Sequence, residues 1–255
     1  MYNFSWFFLL PGVEHGELLQ AIGVGDAEAA GEYAVYTAWL VFVIISVFAL
    51  VARMGLTNAT TKGGTLQYVP SANLGPRNVA ELLIDGILNF AEGVLNSRDL
   101  AKRYFPLFGS IFVYVLVSNL LGLVPGFLAS TGVISTNFAV ALVVFVMFNY
   151  AGIKEIGIKA YLAHMAGPML ALMPFIFAVE FFSVLLRPLT LSVRLYINMF
   201  ADHLLLGVST VLTNGILAPA LFVGLGTFVS FVQAFVFMLL TVVYIALAVG
   251  DGDHH

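Results

Sequence analysis

The chain has 255 residues, of which 61% are hydrophobic and only 9% are charged. Soluble domains carry about 25% charged residues, so this composition excludes an ordinary soluble protein and predicts a membrane protein. Because the sequence contains no cysteine, disulfides, cysteine-ligated zinc sites and iron–sulfur clusters are also excluded.

The charged residues are unevenly distributed along the chain. Five acidic residues and no Lys or Arg precede Tyr33, so we predict that residues 1–32 form an extracytoplasmic segment. Eight basic residues follow the first or the third apolar run: Arg53, Lys62, Arg77, Arg98, Lys102, Arg103, Lys154 and Lys159. By the positive-inside rule, both of these loops are cytoplasmic. The two remaining basic residues, Arg187 and Arg194, lie inside apolar sequence and need another explanation.

The first half of the chain predicts three membrane spans and one surface helix. Residues 36–52 form an apolar run long enough to cross a hydrocarbon core of about 30 Å. Apolar residues then recur every three or four positions, which predicts an amphipathic helix over about residues 78–105 on the cytoplasmic membrane surface. Residues 107–124 form the second span, and residues 138–148 with their flanks form the third.

The fourth apolar segment, residues 169–212, is too long for an upright helix. As one helix it would extend roughly 66 Å at about 1.5 Å per residue. Either it forms two spans broken near Arg187 and Pro188, or it is one kinked and steeply tilted helix. The charges favour one helix, because a break would leave Arg187 and Arg194 in a short loop. The last run, residues 219–249, is also too long for an upright crossing.

These elements predict an all-α polytopic membrane protein with five membrane helices, the last two strongly tilted, and one amphipathic helix on the cytoplasmic side. Residues 33–255 are expected to form a single ion-translocating membrane domain. The N-terminus is expected outside the cytoplasm and the C-terminus inside it.

Charged residues in the fourth segment follow a helical period. Glu180, Arg187 and Arg194 are seven residues apart, which keeps them within about 40° of one stripe, and Asn198 continues it one turn later. His203 points to the opposite face, about 13.5 Å farther along the axis than Arg194. Intramembrane charges mark an ion path or a pairing site. The alternative is that Glu180 and Arg187 form a structural pair and that His203 is a satisfied interhelical donor.

Two sequence motifs resemble a known family. The stretch from Arg187 to Ala201, RPLTLSVRLYINMFA, resembles the signature of subunit a of F-type ATP synthases. The residues QAFVF, which begin at Gln233, match the last-helix motif of that family. NLLGLVPG from Asn119 and STN from Ser135 are also similar to its segments at the end of the second span and the start of the third.

This resemblance implies a mechanism and a set of partners. Subunit a is a stator subunit that faces a rotating ring of c subunits, whose carboxylates are loaded and unloaded through two offset half-channels. By resemblance, Arg194 meets each ionised ring carboxylate and prevents a direct leak. Glu180 matches the cytoplasmic-side acid, while Asn198, His203, Gln233 and Asn119 match the outer half-channel. Leu191 and Leu195 are expected to face the ring.

The resemblance also implies where the protein works. The expected partners are the c-ring, the peripheral stalk subunit b and the rest of the ATP synthase, in a bacterial inner membrane. The N-terminus would be periplasmic and the C-terminus cytoplasmic. No cofactor is expected, and the subunit would depend on others for ATP chemistry.

One position departs from the family pattern. Seven residues before Gln233, many family members carry His or Glu, whereas this chain has Gly226. We hypothesise that Asp202, next to His203, supplies the missing titratable group. The alternative is that Asp202 marks the aqueous end of the helix.

Other functional classes fit the sequence less well. A secondary transporter with a midplane solute site usually shows interrupted helices in two related halves, and this chain shows interruption in one half only. A structural anchor would not need charged groups in apolar surroundings. The histidines form no metal-ligand spacing. The glycine-rich spots lack the context of a nucleotide-binding loop, and neither a metal nor nucleic acid is expected.

Overall fold

The computed structural model describes residues 27–61, 75–124, 127, 129–161, 173–213 and 217–249. All secondary structure in these residues is helical. The helices are α1 (Ala27–Thr61), α2 (Pro76–Leu95), α3 (Arg98–Gly122), α4 (Ile134–Ile156), α5 (Met173–Thr213) and α6 (Leu217–Val249), with a 3₁₀ turn (Ser130–Gly132) between α3 and α4. Most of the predicted extracytoplasmic segment, residues 1–26, lies outside the described residues.

Five helices are long and apolar enough to cross a membrane, namely α1, α3, α4, α5 and α6. The predicted all-α fold with five membrane helices is therefore confirmed for the described part of the chain. Helix α5 is continuous over 41 residues and includes Pro188. The interpretation of one long helix is correct, and the break near Arg187 does not occur. At about 1.5 Å per residue α5 extends roughly 62 Å, so it fits a bilayer only when tilted.

The predicted surface helix over residues 78–105 is wrong in its extent, because two helices occupy this stretch. Helix α2 ends at Leu95, and Asn96 adopts the left-handed conformation with φ 51° that often terminates a helix. The hydroxyl of Ser97 then accepts a hydrogen bond from the Leu100 amide at 3.4 Å and caps the start of α3. The apolar spacing continues across this break and hides it from periodicity. Residues 98–105 therefore belong to the second membrane helix.

The core lies where α3, α4, α5 and α6 meet. Its most deeply buried large side chains include Phe108, Phe148, Leu191, Phe237 and Met238. Helix α2 packs against this bundle through Phe90, whose ring centroid lies 5.0 Å from that of Phe235 in α6. The core thus holds α5 and α6 against α3 and α4.

An ion pair joins the beginning of α3 to the end of α4. Arg103 Nη1 lies 2.5 Å from Glu155 Oε1, and the Tyr104 hydroxyl donates to the same carboxylate oxygen at 3.1 Å. Lys154 precedes Glu155 in the chain. Arg103 and Lys154, one from each of the two regions predicted to be cytoplasmic, therefore lie on the same side of the helix bundle.

Candidate functional site

Helix α5 carries Arg194 at the edge of its buried face. This face is formed by Leu191, Leu195 and Met199, which are all buried. At about 100° per residue, Arg194 lies about 60° round the helix from Leu191, and it is exposed. Ile197 lies about 60° beyond Arg194 and is 56% exposed. The expectation that Leu191 and Leu195 face a partner ring is therefore wrong, because both side chains pack inside this chain's own core.

Arg187 is held by a carboxylate and two aromatic rings. Its Nη2 atom lies 3.3 Å from Glu180 Oε1, so the seven-residue period does bring these two groups together. Its guanidinium carbon lies 5.7 Å from the ring centroid of Phe148 in α4 and 5.0 Å from that of Tyr244 in α6. These distances are within the range of cation–π attraction. Arg187 thus connects α4, α5 and α6, and it also forms the pair with Glu180 that the structural alternative named.

Tyr161 packs close to the same end of the bundle. Its hydroxyl donates to Asn149 Oδ1 at 2.7 Å, and burial raises the pKa of Tyr161, so the hydroxyl remains protonated as a donor. A Cβ atom added at Gly152 would lie 2.8 Å from the Tyr161 ring and 3.1 Å from Cβ of Ala248. The absence of a side chain at Gly152 therefore allows α4, α6 and Tyr161 to approach one another.

Arg194 differs from Arg187 in having no partner. Among the residues that the structure describes, Arg194 makes no hydrogen bond, ion pair or contact with an aromatic ring. It nevertheless lies inside the membrane-length part of α5. A charged group in such surroundings is costly unless something pairs with it. Arg194 is therefore the cation of this helix that remains open to a group from outside the chain.

Met199 anchors α5 at the other side of Arg194. Its side chain lies against Gly122, where an added Cβ would overlap Met199 and Ala129, and its Cγ lies 3.9 Å from the Cβ position of Gly132. The buried face of α5 is thus seated on the end of α3 and on the 3₁₀ turn. Asn198, which is half-buried, precedes this contact directly.

Asn119 belongs to a hydrogen-bonded network that holds the 3₁₀ turn. The Thr131 hydroxyl donates to Asn119 Oδ1 at 2.6 Å, and Asn137 Nδ2 donates to the Thr131 carbonyl at 2.7 Å. The hydroxyls of Ser118 and Ser130 also bond to each other. These contacts tie α3 and α4 to the turn that seats Met199. The assignment of Asn119 to the ion path stays a prediction.

Four polar side-chain atoms in α5 and α6 are buried without a hydrogen-bond partner within the described part of the chain. They are Asp202 Oδ2, His203 Nε2, Ser230 Oγ and Gln233 Nε2. Asp202 continues the buried face of α5, since it follows Met199 by three residues. Because Oδ2 and Nε2 are both unpartnered, these atoms of Asp202 and His203 do not bond to each other. Buried polar groups are normally satisfied by protein or by ordered water.

The register of α5 and α6 places these groups at similar depths. Three residues separate the two helices, which contact each other and are therefore antiparallel. Arg187 of α5 contacts Tyr244 of α6, so residues that lie equally far from this contact along the two antiparallel helices have similar depths. Gln233 and Asn198 each lie eleven residues from it and are therefore level to within about a turn. The same count brings Ser230 level with Ala201, next to Asp202. The unpartnered atoms thus lie on both helices, at one end of the bundle.

Sequence reasoning missed the buried hydroxyl of Ser230 and the contacts of Phe148 and Tyr244 with Arg187. Ser230 lies four residues after Gly226 and three before Gln233, a spacing that places all three on one helix face and could have revealed it. The aromatic pair gave no such signal, because aromatic residues are common throughout this sequence. No group of three or more potential metal ligands occurs among the described residues.

Taken together, the five membrane-length helices, the unpaired Arg194 and the unpartnered polar groups define a polytopic membrane protein built around intramembrane charge. A family model described as ATP synthase A chain matches residues 35–246. ATP synthase subunit a of Bdellovibrio bacteriovorus is 34% identical over 253 residues, which cover 99% of this chain and 100% of that protein.

Two further relatives have the same name. ATP synthase subunit a of Desulfosudis oleivorans and that of Geobacter sulfurreducens are each 38% identical to this chain. The alignments cover 90% of this chain in both cases, and 93% and 91% of the respective relatives. The chain belongs to the ATP synthase subunit a family, the proton-translocating stator subunits of the membrane sector. Membership in this family does not favour the alternative of a solute transporter.

Proposed function

We propose that this chain carries protons to and from a rotating ring of c subunits through two offset half-channels, with Arg194 facing the ring carboxylates. The observation that carries this proposal is that Arg194 is exposed on a membrane-length helix and has no partner among the described residues. A guanidinium remains protonated at physiological pH, and an unpaired charge in a membrane is costly. A carboxylate supplied by another subunit would satisfy it.

Arg194 would act on the ring carboxylate through its fixed charge. A nearby cation favours the ionised form of a carboxyl group, so a protonated ring carboxyl releases its proton as it arrives. The planar guanidinium can also bind a carboxylate through two parallel hydrogen bonds. Because arginine does not deprotonate, it cannot pass protons directly from one half-channel to the other. Arg194 would therefore couple proton flow to rotation.

The two half-channels would approach Arg194 from opposite directions along α5. Glu180 lies 14 residues before Arg194, about 21 Å along the helix, and serves the cytoplasmic side. Asp202 and His203 lie about 12–14 Å beyond Arg194 and serve the outer side with Asn198 and Gln233. The pairing of Glu180 with Arg187 leaves the Glu180 side chain 37% exposed, so Arg187 does not enclose it.

The proposed orientation follows from the basic residues. The Arg103–Glu155 pair brings the two basic regions to one side of the bundle, and basic loops favour the cytoplasm. An odd number of spans then leaves the N-terminus periplasmic and the C-terminus cytoplasmic, in a bacterial inner membrane. The partners would be the c-ring, the peripheral stalk subunit b and the remaining ATP synthase subunits, which supply the ATP chemistry.

ATP-driven proton pumping in inverted membrane vesicles tests this proposal. We expect Arg194→Ala to abolish pumping while the complex still assembles. Arg98→Ala is the matched control, because Arg98 forms only an exposed pair with Glu92 at 3.2 Å and such pairs contribute little. Normal pumping by Arg194→Ala in an assembled complex would overturn the proposal.

A further inference from the structure

Ser230 behaves differently from other hydroxyl-bearing residues in the long helices. Ser192, Thr227 and Thr241 each donate to a backbone carbonyl three or four residues earlier, at 2.9, 2.8 and 2.9 Å. This local bond is the usual way for a helix to satisfy a hydroxyl away from water. Ser230 is 0% exposed, yet its Oγ atom has no partner in the described residues. Its hydroxyl is therefore available to something else.

Three other buried polar atoms without a hydrogen-bond partner among the described residues lie at about the depth of Ser230. Gln233 lies three residues later on the same face of α6, and its Nε2 atom is also buried without a partner. On α5, the unpartnered Asp202 Oδ2 and His203 Nε2 atoms lie at about the same depth, by the register of the two helices. A buried polar group that is left unsatisfied destabilises the fold. Buried polar groups of this kind are normally satisfied by ordered water, and four of them lie at one end of two packed helices.

We propose that Ser230 holds ordered water between α5 and α6, and that it is a further residue of the outer proton path. A buried water needs two to four polar partners, and the atoms of Ser230, Gln233, Asp202 and His203 supply them. A hydroxyl both donates and accepts, which an amide nitrogen does not. As the water passes a proton towards the ring, it accepts another from the outer side, so its proton count is restored.

This inference rests on the proposed function, and passive proton flow tests it separately. The measurement is proton flux driven by an imposed potential across vesicles that contain the assembled membrane sector without its ATP-hydrolysing subunits. We expect Ser230→Ala to lower this flux several-fold. Thr241→Val is the matched control on the same helix, because Thr241 is equally buried but its hydroxyl is already bonded to the backbone. This control should leave the flux unchanged.

A second pair of variants decides the matter if Ser230→Ala does not assemble. Ser230→Thr and Ser230→Val have nearly equal volumes and differ in the hydroxyl, so we expect higher flux in the Thr variant. Equal flux in these two, wild-type flux in Ser230→Ala, or an equal loss in Thr241→Val would overturn this inference. If Arg194→Ala abolishes ATP-driven pumping in inverted vesicles that retain the ATP-hydrolysing subunits, the proposed function survives that result. If Arg194→Ala pumps normally, both proposals fail.

Discussion

A Cβ atom added at Gly226 of α6 would lie 2.8 Å from Cδ2 of Leu123, at the end of α3. Real Cβ contacts are almost never this short, so a side chain at position 226 requires Leu123 to move. The obstructing atom is the far end of a flexible side chain, but Leu123 is itself buried. A carboxylate side chain therefore fits at position 226 only when the Leu123 side chain moves aside.

This contact changes what is expected from adding a carboxylate to the outer path. We expect Asp202→Asn to slow proton uptake, because it removes the nearest acid to His203. In that background, Gly226→Glu alone should restore little flux, whereas Gly226→Glu combined with Leu123→Ala should restore more. Potential-driven proton flux in the three variants, with Leu123→Ala as control, provides the comparison.

Two results would contradict this prediction. Equal restoration with and without Leu123→Ala would show that the steric contact does not limit position 226. An unchanged flux in Asp202→Asn itself would show that the buried Asp202 carboxylate takes no part in the outer path.

The exposure of α5 predicts which positions meet the ring. Cysteines at Thr190 and Ile197 should crosslink to cysteines in the ring helices, because both side chains are exposed on the side of α5 beyond Arg194. Cysteines at Leu191 and Leu195 are the buried controls and should not. Crosslinked products on denaturing gels report the outcome. Crosslinking through Leu191 and Leu195 alone would mean that the opposite face of α5 meets the ring.

The two arginines of α5 should fail in different ways. Arg187→Gln loses the contacts with Glu180, Phe148 and Tyr244, and cation–π attraction at a desolvated site is worth about 2 kcal/mol. We expect it to lower the melting temperature of the purified complex while pumping continues at a reduced rate. Arg194→Lys should leave the melting temperature unchanged and abolish pumping, because an ammonium lacks the planar geometry of a guanidinium and can deprotonate when buried.

Tyr244→Leu supplies the matched control for Arg187. If the contact between the Arg187 guanidinium and the Tyr244 aromatic ring stabilises the bundle, the double variant Tyr244→Leu/Arg187→Gln should be destabilised by less than the sum of the two single variants. Additive losses would show that Arg187 and Tyr244 act independently. A wild-type melting temperature in Arg187→Gln would show that the whole cluster contributes nothing to stability.

Much of this architecture could be predicted because membranes constrain sequences strongly. Apolar length identified the five membrane helices, and the position of Arg187 and Arg194 favoured one continuous α5 over two shorter spans. The seven-residue period correctly placed Glu180 and Arg187 on one stripe. Each of these inferences depends only on the length of one helix or on the spacing of residues within it, and both can be taken directly from the sequence.

Features that depend on contacts between helices could not be predicted in the same way. Leu191 and Leu195 are as apolar as Ile197, so composition does not tell a buried face from one that meets lipid or a partner. Asn96 and Ser97 are local signals for the end of α2 and the start of α3. The apolar period continues past them and conceals the break. The contact between Met199 and Gly122 joins residues 77 positions apart, and no periodicity in the sequence indicates it.

Arg187 and Met199 hold α5 to the rest of the chain at two points that lie twelve residues, or about 18 Å, apart. Arg194 lies between them. If Arg194 faces a ring of carboxylates as proposed, each carboxylate that leaves would pull it sideways, and a helix fixed on only one side of Arg194 would bend or roll about its own axis. With a contact on each side, α5 would pass this force to α3, α4 and α6. The guanidinium would then stay in place while the ring turns past it.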